Sequence, residues 1–195
     1  MSDDTPSLDL RLELADEIAT VALAEDLAAI LRPGDVVALV GDLGAGKSTL
    51  ARALVRAFAD DPTLDVPSPT FTLVQSYELP RLTIAHYDLY RLADASELDE
   101  LGFDEAVATG AALVEWPDRA EDRLPDATLV VAIGAGDGPQ SRRVRLTGPA
   151  TLWGERLERT LAVRAFLEVA GSPRGHRRHL QGDASSRSYE RIHDE

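Results

Sequence analysis

A glycine-rich stretch, GDLGAGKST at residues 41–49, contains the residue types that bind the phosphates of a nucleotide. Glycines let the backbone approach a phosphate closely, so that peptide N–H groups can point at its oxygens. The Lys47 ammonium would bridge the terminal phosphates, and the Ser48 hydroxyl would be a ligand of Mg²⁺. The predicted nucleotide-binding residues are Gly41, Asp42, Leu43, Gly44, Ala45, Gly46, Lys47, Ser48 and Thr49.

The basic residues of the chain point to the same stretch. The sequence contains 19 Arg and a single Lys, and that residue is Lys47. A flexible ammonium reaches between phosphate oxygens, where a planar guanidinium fits badly. The composition therefore supports a phosphate-binding role for this position.

Phosphoryl transfer at such a loop also needs carboxylates close to the phosphates. Glu115 ends the apolar run AALV, and Asp88 ends the run TIAHY. Both are predicted at the carboxyl ends of strands, which is where α/β sheets bind ligands. We predict that they bind magnesium and orient the attacking water. The alternative for each is a helix cap or a surface charge.

Three other side chains near these motifs also need an interpretation, those of Thr70, Trp116 and His86. Thr70 follows two prolines and is predicted to close over the terminal phosphate as a switch loop does, with a plain loop-to-strand junction as the alternative. Trp116 is interpreted as core filling, with stacking on a ligand as the alternative. His86 lies inside a predicted strand and is interpreted as structural.

The surrounding pattern supplies the strand and the helix that the loop requires. Residues 35–40 are an apolar run typical of a strand buried on both faces, and residues 47–59 have helical spacing. Other strands are predicted at 8–14, 71–78, 82–89, 111–115, 127–133 and 142–146, with 71–78 and 82–89 forming an antiparallel hairpin. Other helices are predicted at 16–31, at 96–109 with an interruption at Gly102, and at 152–169. The fold class is therefore α/β.

Composition and charge limit the class of protein. The 195 residues include no Cys, which excludes disulfides, thiol nucleophiles and Cys-bound metals. A net charge of −14 argues against direct binding of nucleic acid, so any contact with RNA is expected to be indirect. No apolar run approaches the roughly 20 residues of a membrane span, and the first residues are acidic, unlike a signal peptide. We expect a cytoplasmic protein with no membrane partner.

The motifs GDLGAGKST, SPTFTLVQSYE, HYDLYRL, ELGFDE and LVEWPDR, in this order, resemble the TsaE (YjeE) family. The likeness covers about residues 8–150. It implies a P-loop NTPase-like fold with a mostly parallel central sheet, an antiparallel hairpin and flanking helices. It also implies a Mg²⁺-dependent ATPase, slow alone, that acts with TsaB, TsaD and the synthase TsaC to form N6-threonylcarbamoyladenosine beside the tRNA anticodon.

The resemblance also implies roles for individual residues. It assigns the phosphates of ATP to residues 44–49 and the magnesium ion to Ser48 and Glu115. Asp88 corresponds to the second essential acid of the family, and Thr70 falls in its switch-like segment. Many relatives have Thr in place of Ser48, and either hydroxyl can bind magnesium. The resemblance does not place the adenine pocket.

The C-terminal residues lie outside this likeness. Residues 1–157 are predicted to form the ATPase domain. Residues 158–195 resemble the opening helix and glycine-containing hairpin of an aminoglycoside-phosphotransferase-like sugar kinase, and we expect them to be poorly ordered at the end. The alternative is a tail of unrelated origin. We expect no sugar-kinase activity from this chain by itself.

Two other functions could use the same loop. A small-molecule kinase would transfer phosphate to an acceptor instead of water. However, residues 92–122 are strongly acidic, and no arginine-rich lid segment lies between the two candidate carboxylates. A nucleotide-gated binding module would bind the nucleotide with negligible hydrolysis.

Overall fold

A seven-stranded sheet forms the centre of the computed structural model, which describes residues 6–120, 122–172, 176–180 and 189–193. The sheet contains β1 (Ser7–Leu14), β2 (Val36–Val40), β3 (Val74–Tyr77), β4 (Ile84–Asp88), β5 (Ala111–Glu115), β6 (Leu129–Ala135) and β7 (Arg142–Pro149). A separate hairpin consists of β8 (His176–Leu180) and β9 (Tyr189–His193). The α-helices within the described ranges are α1 (Glu17–Ile30), α2 (Lys47–Ala59), α3 (Glu97–Glu100), α4 (Phe103–Thr109) and α5 (Ala150–Val169).

The strand order of the sheet is β1-β7-β6-β2-β5-β4-β3. The four central strands β6, β2, β5 and β4 are parallel, and β3 pairs with β4 as the predicted antiparallel hairpin. The α/β class and its parallel core are thereby confirmed. Strands β7 and β1 add a second antiparallel region at the opposite margin. Because β2, β4 and β5 are parallel, their carboxyl ends meet at one edge of the sheet.

Both faces of the central strands are buried, which explains their continuous apolar runs. Val37 and Leu39 of β2 belong to a core shared with α1 and α2. Val36 belongs to a second core on the other face, together with Phe103 of α4. No helix among the described residues has the length and apolar composition needed to cross a bilayer.

Several strand boundaries differ from the sequence prediction; β6 and β7, for example, end at Ala135 and Pro149 instead of 133 and 146. The strand predicted at 71–78 begins only at Val74, because Leu73 has a φ of 64° and its N–H donates to the Pro69 carbonyl at 2.7 Å. Strand β4 ends at Asp88 because a short 3₁₀ helix, Leu89–Arg91, starts there. The interruption of the 96–109 helix is confirmed at Gly102, which has a φ of 69° between α3 and α4.

The C-terminal part of the described chain packs on α1. Helix α5 runs without a break across position 157, and Thr160, Arg164 and Leu167 of its second half are buried. The division between residues 157 and 158 stays a prediction. Residues 181–188, which include the glycine of the predicted hairpin, and the last two residues, 194–195, lie outside the described residues.

A buried ionic cluster joins α1, α5 and the hairpin. The Asp26 carboxylate accepts hydrogen bonds from the Arg164 guanidinium at 2.9 Å and from the Arg177 guanidinium at 2.6 Å. The Glu25 carboxylate binds the same Arg164 at 3.2 Å, and Glu190 of β9 pairs with Arg177 at 2.7 Å. An isolated two-stranded hairpin is marginally stable in water, so we expect this cluster to hold β8 and β9 in place.

We predict that Asp26→Asn lowers the free energy of unfolding by about 3 kcal/mol, because two buried arginines would lose their shared counter-charge. Urea denaturation of the full chain measures this change. The control is Asp9→Asn, which removes the exposed pair with Arg145 and should leave the midpoint almost unchanged. Equal effects of the two substitutions would contradict a stabilising role for the buried cluster.

Candidate functional site

The loop between β2 and α2 has the backbone geometry that its glycines predict. Gly41, Gly44 and Gly46 have φ values of 151°, 79° and 114°. A Cβ atom on Gly41 would lie 2.3 Å from the carbonyl oxygen of Ile133, so only glycine fits there. Gly46 precedes α2, and no side chain caps that helix. The first N–H groups of α2 therefore face the loop as donors for an anion.

The Lys47 side chain is folded back over this loop and is 4% exposed. Its ammonium donates to the carbonyl oxygens of Gly41 at 2.7 Å and Asp42 at 2.9 Å. Burial lowers the pKa of Lys47, and nearby carboxylates, Glu115 first among them, oppose this shift. The ammonium also lies 3.9 Å from the ring centroid of Trp116. Trp116 is half-buried beside the second core, so it contacts both the core and the candidate site.

The Glu115 carboxylate is buried at the end of β5, with 1% of the residue exposed. Its Oε2 accepts a hydrogen bond from the Ser48 hydroxyl at 2.8 Å. Its Oε1 lies 2.9 Å from Nε2 of His86. Glu115 is therefore neither a surface charge nor a helix cap, and the structure places it beside the predicted Ser48.

The Asp88 carboxylate lies opposite Glu115 in the register of β4 and β5. Its Oδ2 accepts hydrogen bonds from the hydroxyls of Ser68 at 2.9 Å and Thr70 at 2.7 Å. Its Oδ1 accepts a hydrogen bond from the backbone N–H of Tyr90 at 3.2 Å. This one contact is the helix cap that the alternative interpretation of Asp88 predicts. The residue is 4% exposed, which excludes the surface-charge alternative. The predicted switch segment is therefore hydrogen-bonded to Asp88 through the hydroxyls of Ser68 and Thr70.

Three residues of this region were not predicted as site residues from the sequence. Ser68 and His86 contact the two carboxylates, and their closeness to Thr70 and Asp88 in the sequence was the available signal. Arg142 donates through Nε to the Ala45 carbonyl at 2.9 Å. No local pattern predicts this contact, because β7 follows the loop by almost a hundred residues. Among the predicted loop residues, Leu43 is 82% exposed at the loop tip.

An open cleft of about 330 Å³ lies next to the loop, between the start of α1 and the start of β7. Thr49, Ala45 and Gly46 form its loop side. Leu14 and Val144 are among the apolar residues of its walls, and Arg142 also lines it. A somewhat larger cleft of about 360 Å³ lies between α1, α2 and β8, and Thr49 lines it as well. The smaller cleft is also lined by Ala45 and Gly46 of the loop, which do not line the larger one.

A strand that leads through a glycine loop into a helix beginning with Lys47 and Ser48, within a parallel sheet, defines a P-loop NTPase-like protein. The family model described as "Threonylcarbamoyl adenosine biosynthesis protein TsaE" matches residues 14–144, and the chain belongs to this family. This finding confirms the resemblance that the motifs indicate.

Individual relatives agree with the family match. The tRNA threonylcarbamoyladenosine biosynthesis protein TsaE of Rickettsia conorii is 42% identical over 124 residues, which are 64% of this chain and 70% of the relative. The protein of the same name from Haemophilus influenzae is 34% identical over 145 residues, which are 71% of this chain and 89% of the relative. The crystal structure of YdiB from Bacillus subtilis superposes with a TM-score of 0.67 at 28% identity, covering 81% of this chain and 97% of YdiB.

The close packing of the loop leads to a prediction at Gly41. We expect Gly41→Ala to lower the free energy of unfolding by about 1–3 kcal/mol, since the methyl group would displace the backbone of β6 at Ile133. Chemical denaturation measures the change. Gly134→Ala is the matched control on β6, where an added Cβ has open space and should shift stability by less than about 0.5 kcal/mol. A neutral Gly41→Ala would contradict the described loop geometry.

Proposed function

We propose that this chain is a Mg²⁺-dependent ATPase subunit that acts with TsaB and TsaD in forming N6-threonylcarbamoyladenosine in tRNA beside the anticodon. The relatives are named for this biosynthesis, which supports the pathway. The hydrogen bond between Ser48 and the buried Glu115 carries the proposal of phosphate chemistry, because it joins the loop helix to an acid at the sheet edge. A net charge of −14 favours partners that hold the tRNA themselves. A cytoplasmic location agrees with this role and stays a prediction.

In this proposal the phosphates of ATP bind at residues 44–49 and Lys47. The free N–H groups at the start of α2 and the positive end of its dipole favour an anion there. The Lys47 ammonium is already held at the loop by two carbonyl oxygens, and phosphate oxygens would replace them. The Trp116 ring covers one side of the ammonium and limits its access to water.

The side chains beside the loop suit magnesium as the metal. The Ser48 hydroxyl and the carboxylates of Glu115 and Asp88 are hard oxygen donors, which Mg²⁺ prefers. The described residues include no group of three or more His, Cys, Asp or Glu side chains that could hold a metal by themselves. This agrees with an ion that takes its other ligands from phosphates and water. When bound, the ion would stabilise the charge that develops on the phosphate oxygens.

Asp88 and Thr70 are proposed to orient the attacking water and to sense the terminal phosphate. The two hydroxyl donors, Ser68 and Thr70, fix the Asp88 carboxylate and leave its charge next to Lys47. The Thr70 hydroxyl donates to Asp88 in this structure, and we propose that it turns to the terminal phosphate when ATP binds. Such an exchange is the usual way in which a phosphate orders a switch loop.

The nucleoside of ATP is proposed to occupy the cleft of about 330 Å³ beside Thr49. The cleft starts at the loop, so a nucleotide with its phosphates at Lys47 could extend its ribose and base into it. Apolar walls and a few polar groups are typical of such sites.

We predict that Lys47→Ala weakens ATP binding by about 10- to 100-fold, because charge-assisted hydrogen bonds to phosphate are lost. Isothermal titration calorimetry measures the affinity. Arg159→Ala removes an exposed cation from α5 and serves as the control, with unchanged affinity expected. Undiminished affinity of Lys47→Ala would refute the phosphate-binding assignment.

We also predict that adding TsaB and TsaD raises ATP turnover by this chain, measured as release of inorganic phosphate. Glu115→Ala should abolish the turnover and the synthesis of modified tRNA, because the acid beside Ser48 is lost. The exposed Glu158→Ala is the control and should behave as the wild type.

Three other results would each contradict part of this function. No stimulation and no support of tRNA modification would contradict the role in the complex. Transfer of phosphate to an acceptor instead of water would indicate a small-molecule kinase. Full tRNA modification with Glu115→Ala would indicate a nucleotide-gated binding module.

A further inference from the structure

We propose that His86 is a positioning residue of the magnesium site, acting through the carboxylate of Glu115. The imidazole holds one carboxylate oxygen, so that the other oxygen stays on Ser48. This assignment rests on the proposed function and adds to it a residue that is not one of the predicted nucleotide-binding residues.

The contacts of Glu115 divide between two partners. His86 Nε2 lies 2.9 Å from Oε1, and Ser48 Oγ lies 2.8 Å from Oε2. His86 is 1% exposed and lies on β4 opposite Leu113 of β5, two residues before Glu115. Its side chain therefore reaches the carboxylate from the buried side, while Ser48 reaches it from the loop helix.

The hydrogen bond to Glu115 is the polar contact that the His86 side chain makes within the described chain. A carboxylate oxygen accepts, so Nε2 is the donor in this contact. Nδ1 is buried without a hydrogen-bond partner among the described residues. A leucine would fill this space without leaving such an atom unpaired. The polar ring is thus explained by its contact with Glu115 and not by packing.

The contact restricts the orientation of a catalytic carboxylate. A glutamate at the end of a strand can rotate about three side-chain bonds, and fixing it in advance reduces the entropy lost on binding. Hydrogen-bond partners behind a metal ligand typically change metal affinity or activity by about 10- to 100-fold when they are removed. His86 therefore keeps Glu115 and Ser48 directed at the same ion.

The test compares the affinity for ATP in the presence of Mg²⁺ with that in EDTA, by calorimetry on the full chain. We expect His86→Leu to reduce the magnesium-dependent gain in affinity by about 10-fold and to leave the affinity in EDTA unchanged. His86→Gln should keep most of the gain, since its amide N–H can reach Oε1. Tyr87→Phe, on the same strand but the opposite face, is the matched control and should keep all of it.

Each other outcome contradicts a distinct claim. If His86→Leu keeps the gain in ATP affinity that magnesium gives, only the positioning role of His86 is overturned. Equal losses with and without magnesium, in both the Leu and the Gln variants, indicate a merely structural residue and overturn it too. If magnesium does not raise the ATP affinity of the wild type, the proposed function is wrong, and the role of His86 is wrong with it. If the Leu variant does not fold, His86→Asn replaces it, because its amide is too short to reach Oε1 and the same loss is expected.

Discussion

The hydrogen bond between Ser48 and Glu115 joins the first turn of α2 to the last residue of β5, and the candidate site is arranged around it. Strands β2 and β5 are parallel neighbours, with Leu39 opposite Glu115. The Glu115 side chain therefore lies on the face of the sheet that α2 covers. A buried carboxylate is costly unless polar partners compensate for the lost water, and here both oxygens have one. This hydrogen bond fixes where α2 begins relative to the carboxyl edge of the sheet.

The charges of the site compensate each other over short distances. The buried Lys47 is surrounded by the carboxylates of Glu115, Asp88 and Asp42, which oppose the lowering of its pKa by burial. The chain as a whole has a net charge of −14, so a polyphosphate gains nothing from long-range attraction. Affinity for an anion must come from direct contacts with backbone N–H groups and with Lys47. This explains why the loop has to be held so closely, with Gly41 against Ile133 and Arg142 on the carbonyl of Ala45.

Much of this arrangement could be predicted from the sequence, because its signals are local. The apolar run before GDLGAGKST predicts β2, the helical spacing after it predicts α2, and the acids after two buried strands predict Asp88 and Glu115 at one edge. Contacts between distant segments could not be predicted in this way. Arg142 reaches the loop only because β7 lies beside β6, and His86 reaches Glu115 only because β4 and β5 are neighbours in a given register. The late start of β3 depends on the turn at Leu73, a non-glycine residue with a positive φ that no propensity indicates.

The central claim is that Ser48 and Glu115 bind the magnesium ion of ATP at the end of the sheet. A crystal structure of the chain with Mg²⁺ and a non-hydrolysable ATP analogue tests it most directly. We expect an ion about 2.0–2.1 Å from the Ser48 hydroxyl oxygen, with Glu115 bound to the ion or to one of its waters, and phosphates on Lys47. A nucleotide bound elsewhere, with the Ser48–Glu115 hydrogen bond intact and no ion beside it, would contradict this magnesium site.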